Sequence, residues 1–373
     1  MMEFRKLGST GLKVSVVGLG TLGFARVGLF NKGEEGVKEI SYIVNRALDL
    51  GINFVDTAFA YGNGVAETGV GAVVKARRKD CIVLSRSHVW QTSEKPEDTA
   101  SSIDNSLKRL NMEAIDVFEV HDVTKPESYK MVREKGIYDV VKKAKKDGKL
   151  RFIGFSTHGS AEMMKEMINS GDVDVLTVAY NLTGHRRMLA DGDDIRKTEE
   201  EILPLCKEKG VGITIMKPFG GGVMTQPAPD GTKLSPLKLL KFVVQNPLVN
   251  SVTPGVNYTY QIEELVKAGD PGYRLSDNEI SELREAALKW GKDFCRQCGY
   301  CLPCTEKINI PEMMNMLRYA LIKDPNVQKH VRERYAKFEV KADACTECKK
   351  CEERCPYGLP ISAKMKELAA AVK

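Results

Sequence analysis

The sequence has no long apolar segment and no large excess of one charge. No apolar run approaches the ~20 residues that a membrane-spanning helix requires. The opening residues MMEFRKLGS lack the apolar core of a signal peptide. The 56 basic and 50 acidic residues are spread along the chain, and the longest basic cluster, KKAKK at 142–146, is typical of a solvated helix face. We therefore expect a cytoplasmic protein that binds neither membrane nor nucleic acid.

The composition also lacks the features of a disordered chain. Hydrophobic residues make up 42% of the 373 residues and charged residues 28%, which are ordinary values for a globular protein with a substantial core. A chain of this length suits one large domain and a smaller one.

Cysteine is scarce before residue 290. Cys81 and Cys206 lie in apolar surroundings and are predicted to be buried, inert thiols. The other eight of the ten cysteines lie between residues 295 and 355. Because cytosolic thiols are kept reduced, such a cluster indicates metal binding rather than disulfides.

Short β-rich segments alternate with amphipathic helical ones along most of the chain. Eight βα units predict an α/β fold, a (β/α)₈ TIM barrel, with RKLGSTGLKVSV as a hairpin that closes its base. Active sites in that fold lie where the strands end. The strand segments are 16–21, 52–57, 81–85, 115–121, 151–156, 175–181, 212–217 and 251–255, and their ends carry Asp56, Arg86, His121, Ser156, Asn181, Lys217 and Gly255.

The segment GLGTLG at 18–23 matches the glycine pattern of a dinucleotide-binding Rossmann turn. That turn must open a helix directly, and the following FARVGLFNKGEEG has no helical period. We therefore interpret these glycines as a loop at the barrel mouth.

Several linked motifs resemble the aldo-keto reductases over roughly residues 3–288. They are LGSTGLKVSVVGLGT, GINFVDTAFAYGNGVAETGVG, SLKRLNMEAIDVFEVH, GKLRFIGFSTH and MKPFGGG. The resemblance implies that an Asp, a Tyr, a Lys and a His converge at the mouth, and it assigns three of them to Asp56, Tyr61 and His121. It also implies that the Tyr protonates a carbonyl oxygen while nicotinamide delivers hydride to the carbon.

The sequence departs from this family at the lysine position, where the strand CIVLSRSH offers Arg86. A phenol donates a proton poorly at neutral pH unless a neighbouring cation stabilises the phenolate. Arginine keeps the positive charge but is always protonated and forked, so it pairs differently with carboxylate and phenol. The substitution indicates either a weak reductase or a different reaction in an inherited site.

The contacts to nicotinamide cofactor follow from the same resemblance. The turn TPGVNYTYQIEE at 253–264 carries basic residues in NADP-preferring relatives, but here it contains Asn257 and Tyr258. NADP and NAD therefore both remain possible. The residues assigned to cofactor binding are Thr21, Ser156, Asn181, Lys217, Gly255, Asn257 and Gln261.

Two cysteine runs follow the barrel, the first CRQCGYCLPC at 295–304 and the second CTECKKCEERCP at 345–356. The second, CTECKKCEERCP, matches the bacterial ferredoxin signature, in which three thiolates bind one [4Fe-4S] cube and the fourth reaches the other cluster. Two clusters are favoured over one cluster or zinc, whose sites usually take two separate cysteine pairs. By the ferredoxin rule one cluster takes Cys295, Cys298, Cys301 and Cys355, and the other takes Cys345, Cys348, Cys351 and Cys304.

The predicted organisation is a barrel over 1–289 and a mostly helical ferredoxin-like 2[4Fe-4S] domain over 290–373, a tail that a subset of aldo-keto reductases carries. Nicotinamide moves electron pairs whereas a cluster moves single electrons. Two hypotheses follow. One is an NAD(P)H-linked oxidoreductase for a small carbonyl or alcohol substrate, with clusters that relay electrons or brace the fold. The other is an electron-transfer protein, with ferredoxin or another redox protein as partner, whose reductase activity has been lost.

Overall fold

The computed structural model describes residues 1–93, 95–183, 197–225, 232–291, 295, 301–321, 325–355 and 358–373. The described residues contain ten strands, each close to a segment that the sequence predicts. The strands are β1 Phe4–Lys6, β2 Lys13–Ser15, β3 Leu19–Gly20, β4 Phe54–Asp56, β5 Ile82–Ser87, β6 Ile115–Val120, β7 Leu150–Thr157, β8 Val175–Ala179, β9 Gly212–Met216 and β10 Ser251–Val252.

Strands β3 to β10 form one parallel sheet in sequence order. Two isolated parallel bridges, Val17 with Val252 and Gly20 with Gly255, join the first strand to the last. The sheet therefore closes on itself, and the predicted (β/α)₈ barrel is confirmed. The carboxyl ends of all eight strands meet at one mouth, which is where this fold places its functional residues.

The antiparallel hairpin of β1 and β2 closes the opposite end, as predicted. Its apolar side chains Leu7 and Val14 pack with Phe54 and Leu84 from inside the barrel. The Arg5 guanidinium donates hydrogen bonds to the carbonyl oxygens of Asn246 and Val249. Water is thus excluded from the base of the barrel.

Helices surround the strands because their apolar residues recur every three or four positions. In the first helix, for example, Ile40, Val44 and Ala47 are buried against the barrel. The described residues contain fourteen α-helices: α1 Gly33–Asp49, α2 Val65–Arg77, α3 Pro96–Leu110, α4 Pro126–Glu134, α5 Ile137–Lys146, α6 Ala161–Asn169, α7 Leu203–Lys209, α8 Pro236–Val244, α9 Thr259–Leu265, α10 Asp277–Gly291, α11 Ile310–Ala320, α12 Pro325–Ala336, α13 Lys350–Glu353 and α14 Ile361–Ala371. None of the helices described is long and apolar enough to cross a bilayer.

The glycine motif at 18–23 differs from the predicted loop, because a 3₁₀ helix over Thr21–Val27 follows β3 directly. A Cβ atom on Gly20 would lie 2.8 Å from the carbonyl oxygen of Thr253, and one on Gly23 would lie 2.2 Å from that of Val256. These glycines therefore let the chain approach the backbone after β10. The glycines pack the barrel together and do not form a Rossmann turn.

The C-terminal segment builds a second apolar core, apart from that of the barrel. Helices α11 and α14 each follow one cysteine run and pack against each other, and with α12 they agree with the mostly helical character predicted for this domain. Helix α10 extends to Gly291, so the boundary at 289/290 stays a prediction.

The two isolated cysteines lie in the barrel as predicted. Cys81 and Cys206 are both buried, and burial raises the pKa of each thiol to about 12. A thiol with so high a pKa is protonated and unreactive at neutral pH.

Candidate functional site

Three of the predicted catalytic residues meet at the barrel mouth. The Arg86 guanidinium, whose side chain is 2% exposed, donates from Nη2 to Asp56 Oδ2 at 2.7 Å. Its Nη1 donates to the Tyr61 hydroxyl oxygen at 3.3 Å. Asp56 ends β4 and Arg86 lies near the end of β5, so adjacent parallel strands place the two charges side by side. The structure thus brings together the carboxylate, the cation and the phenol that the sequence predicted.

A second carboxylate, which sequence reasoning missed, completes this group. Glu119 on β6 forms an ion pair from Oε2 to Arg86 Nε at 3.0 Å, and its Oε1 accepts a hydrogen bond from Thr177. Its side chain is fully buried. The available signal was an acidic residue inside the apolar strand IDVFEV, two positions before His121 and therefore on the same strand face.

The Tyr61 hydroxyl is buried between charges of opposite sign. Burial raises the pKa of Tyr61 to about 12, although Arg86 lowers it, and the carboxylates of Asp56 and Glu119 raise it further. Tyr61 is therefore protonated at neutral pH and can donate a hydrogen bond or a proton. The nearby cation offsets only part of the cost of burial.

His121 stands beside Tyr61 as an uncharged imidazole. The two rings meet edge to face with centroids 6.2 Å apart, and His88 lies 6.0 Å from His121 in the same manner. Burial, followed by the positive charges of Arg86 and Lys217 and by His88, holds the pKa of His121 well below 6.5. The Trp90 indole donates to the carbonyl oxygen of His121 at 2.8 Å and fixes the backbone there. His88 and Trp90 carried no signal that sequence reasoning used.

A cleft of about 600 Å³ opens beside this group. Asp56, Tyr61 and Arg86 form part of its wall. Asn257 also lines it, and the buried Asn257 Oδ1 has no hydrogen-bond partner among the described residues. The predicted cofactor residues that line the cleft are Thr21, Lys217, Gly255, Asn257 and Gln261.

Two predicted cofactor residues do not line this cleft in the part of the chain described. The Ser156 hydroxyl accepts a hydrogen bond from the backbone N–H of Asp122, and Asn181 donates to the carbonyl oxygen of Lys217. Lys217 itself has φ +58° and its ammonium contacts the His158 ring. Ser156 and Asn181 thus brace the neighbouring turns, and their contact with a cofactor stays a prediction.

The C-terminal segment also reaches the cleft. Tyr319 on α11 contributes to the wall, together with the barrel residues Glu264 and Leu265 of α9. Glu264 ends the turn at 253–264 but was not among the residues assigned to the cofactor, and no motif pointed to Tyr319, because its position depends on how distant helices pack.

Four cysteines line one small pocket of about 20 Å³ in the C-terminal core. They are Cys304 from the first run and Cys345, Cys348 and Cys351 from the second. This is the crossed set that the ferredoxin rule gives, and thiols are the donors that iron–sulfur clusters use. In the described residues no three His, Cys, Asp or Glu side chains converge on a point that could hold a single ion.

The other predicted set is only partly described. Cys298 lies outside the described residues, whereas Cys301 is buried and Cys295 and Cys355 pack against the C-terminal core. The assignment of these four thiols to one cluster stays a prediction.

The fold and the site define a TIM-barrel enzyme with a cysteine-rich C-terminal module. Comparison with protein families is consistent with both parts. The description "Aldo/keto reductase family" matches residues 16–238, and "4Fe-4S dicluster domain" matches residues 294–360. The chain belongs to the aldo/keto reductase family and is an oxidoreductase with a C-terminal iron–sulfur domain.

The alignments with two relatives extend over most of the barrel. L-galactose dehydrogenase of Arabidopsis thaliana is 29% identical over 297 residues, which are 72% of this chain and 88% of the relative. NADH-specific methylglyoxal reductase of Escherichia coli is 26% identical over 59% of this chain and 68% of its own. The structure of an aldo-keto reductase from Klebsiella pneumoniae in complex with NADPH superimposes with a TM-score of 0.60 at 19% identity, over 76% of this chain and 95% of that one. That structural likeness supports the fold alone.

Proposed function

We propose that this protein interconverts a small carbonyl compound and its alcohol with a nicotinamide cofactor, and that Tyr61 exchanges the proton. The hydrogen bond between Tyr61 and Arg86 at the wall of the cleft is the observation that carries this proposal. The cofactor, when bound, supplies hydride to the carbonyl carbon. Tyr61 gives its proton to the carbonyl oxygen, so the two additions together yield the neutral alcohol.

The neighbouring groups have separate roles in this scheme. After proton transfer Tyr61 carries a negative charge, which Arg86 stabilises. Asp56 holds Arg86 in place. His121 is uncharged at neutral pH, so it can orient the carbonyl oxygen by a hydrogen bond without adding a second cation.

The cleft fits a nicotinamide cofactor, with Thr21, Gly255, Asn257 and Gln261 as its polar and close-approach contacts. We infer a preference for NADH over NADPH. A 2′-phosphate requires a cation, whereas a ribose diol is recognised by a carboxylate. The described residues that line the cleft include the carboxylate of Glu264, and the two basic residues among them, Arg86 and Lys217, contact Asp56 and His158.

Two [4Fe-4S] clusters are proposed for the C-terminal domain. The pocket formed by Cys304, Cys345, Cys348 and Cys351 supports one of them, and the spacing of the first run supports the other. They would relay single electrons to ferredoxin or a similar protein, or brace the domain.

A second candidate is an electron-transfer protein whose reductase activity has been lost. The raised pKa of Tyr61, about 12, favours it because a phenol of lower acidity is a weaker proton donor. Arginine in place of the family's lysine favours it as well.

One experiment separates the two candidates. Anaerobically purified protein is titrated first with NADH and then with NADPH, while cofactor fluorescence and the visible spectrum of the clusters are recorded, and is then given a panel of simple aldehydes. Saturable binding of NADH, tighter than that of NADPH, with aldehyde-dependent oxidation supports the reductase. Absence of binding to either cofactor overturns it.

A further inference from the structure

We propose that Glu119 is a positioning residue that fixes the Arg86 guanidinium against Tyr61, so that Arg86 and Glu119 act as one unit where relatives use a single lysine. This inference rests on the proposed role of Tyr61 as the proton donor. It concerns a residue to which the family resemblance assigns no role.

Each nitrogen of the guanidinium has one protein oxygen as its partner. Nη2 contacts Asp56, Nη1 contacts Tyr61, and Nε contacts Glu119 at 3.0 Å. The Nε atom and Glu119 Oε2 are both buried and make no hydrogen bond among the described residues, so the contact between them is an ion pair. Their ion pair therefore stabilises both atoms.

The register of the sheet places Glu119 directly beside Arg86. Arg86 and Glu119 are direct partners across β5 and β6, and Asp56 lies on the strand at the other side of β5. Carboxylates on both flanking strands hold opposite edges of one guanidinium. An ammonium is a compact point charge that one carboxylate can hold, whereas a planar fork also needs its rotation fixed. Asp56 alone leaves that rotation free, and Glu119 sets it so that Nη1 faces Tyr61.

Other charged and titratable groups around Glu119 must be counted in any test. Arg86 and Asp56 act on it most directly, and Thr177 of β8 donates to its other oxygen. His121 directly follows β6, and Lys217, which directly follows β9, acts on His121. Burial raises the pKa of Glu119 to about 7 against the opposing effect of Arg86.

The chain contains a matched control. Glu67 is also fully buried, also pairs with an arginine Nε, that of Arg109 at 2.7 Å, and also accepts a hydrogen bond from a hydroxyl, that of Ser85. Glu67 does not contact Tyr61 or the guanidinium of Arg86 in the structure. Glu67→Gln therefore measures the general effect of neutralising a buried carboxylate in this barrel.

Two substitutions of Glu119 separate the effect of its distance from Arg86 from the effect of its negative charge. Glu119→Gln keeps an acceptor oxygen at the same distance but removes the charge. Glu119→Asp keeps the charge but withdraws it by one bond, about 1.5 Å. The pKa at position 61 is read in full-length holoprotein by fluorine NMR of a fluorinated tyrosine installed there, a readout that does not depend on turnover.

The expected shifts have opposite signs. Gln should lower the pKa at position 61 by about one pH unit, because a negative charge nearby is lost while Arg86 stays in place. Asp should raise that pKa, because Arg86 moves away from the phenol, and should lower kcat on the order of 10- to 100-fold. Glu67→Gln should change neither the pKa at position 61 nor kcat. Any other pattern, including equal shifts for both variants or none, overturns the proposal.

A double variant gives an independent check should the Asp variant not fold. One ammonium needs only one carboxylate, so Arg86→Lys with Glu119→Leu should reduce aldehydes faster than Arg86→Lys alone. Equal or slower reduction contradicts a paired role. If Tyr61→Phe leaves turnover unchanged, the proposed function fails, but the NMR shifts still decide whether Glu119 positions Arg86.

Discussion

Nη1 of Arg86 lies 3.3 Å from the hydroxyl oxygen of Tyr61, inside a site where both side chains are buried. The same guanidinium contacts the carboxylates of Asp56 and Glu119. Three of its five N–H donors therefore face protein oxygens. Arg86 thus links the phenol of Tyr61 to the carboxylates of Asp56 and Glu119.

Replacement of Tyr61 by phenylalanine tests the proton donor. Turnover with a simple aldehyde should fall by roughly 10²- to 10⁴-fold, the usual cost of a lost general acid. Binding of NADH, measured by fluorescence titration, should persist. Tyr129→Phe, at a buried tyrosine outside the cleft, serves as the control. Normal turnover of Tyr61→Phe would remove Tyr61 from the mechanism.

Arg86→Lys tests the departure from the family. A compact ammonium can approach the phenol more closely than a guanidinium held at three points, so the Tyr61 pKa should fall. We expect aldehyde reduction to rise roughly 3- to 10-fold at neutral pH. The alkaline limb of the pH–rate profile should move to lower pH. Arg86→Met, which removes the charge, should lose activity. A lysine variant with no gain for any aldehyde at any pH counts against the reductase.

Cys304→Ser tests whether the cluster ligands cross between the two runs. Iron in anaerobic protein should fall from about eight to about four atoms per chain. The electron paramagnetic resonance spectrum of the remaining cluster should match that of Cys348→Ser and differ from that of Cys301→Ser. Cys206→Ser, at a buried thiol of the barrel, should keep all the iron. A match between Cys304→Ser and Cys301→Ser would show that each run holds its own cluster.

His121 should make the protein less stable as the pH falls. Its pKa in the folded chain lies well below 6.5, so below pH 6.5 the unfolded chain binds a proton that the folded chain does not. The free energy of unfolding should therefore decrease with acidification by up to about 1.4 kcal/mol per pH unit from this group. Anaerobic chemical denaturation between pH 7 and 5 measures it. His121→Gln should flatten the curve, whereas substitution of the exposed His330 should not.

Much of the fold and part of the site could be predicted because they depend on local sequence. The strand ends carry Asp56 and Arg86, and in a parallel barrel strand ends meet at one mouth. Tyr61 follows β4 closely in the chain, so it arrives at the same place. The cysteine spacing likewise predicts a crossed set, and Cys304 indeed lies with Cys345 in the pocket.

The remaining features depend on contacts between distant segments. Glu119 could be placed on a strand but not paired with Arg86, because pairing requires the register of β5 against β6. The raised pKa of Tyr61 also could not be predicted from the sequence, because burial outweighs the effect of Arg86 and no motif encodes burial. The 3₁₀ helix after the glycines at 18–23 could not be predicted either, because it depends on close contact with the chain after β10, at the far end of the barrel sequence.

The pocket shared by Cys304 and Cys345 joins the two ends of the segment that contains α11 and α12. A cluster bound there would act as a cross-link, and cross-links restrict the unfolded chain most when they close long loops. Tyr319 lies within that loop and on the wall of the cleft beside Tyr61. Without the cluster this constraint would be absent, and the cleft would no longer have a fixed position for Tyr319, the wall residue that the C-terminal segment contributes.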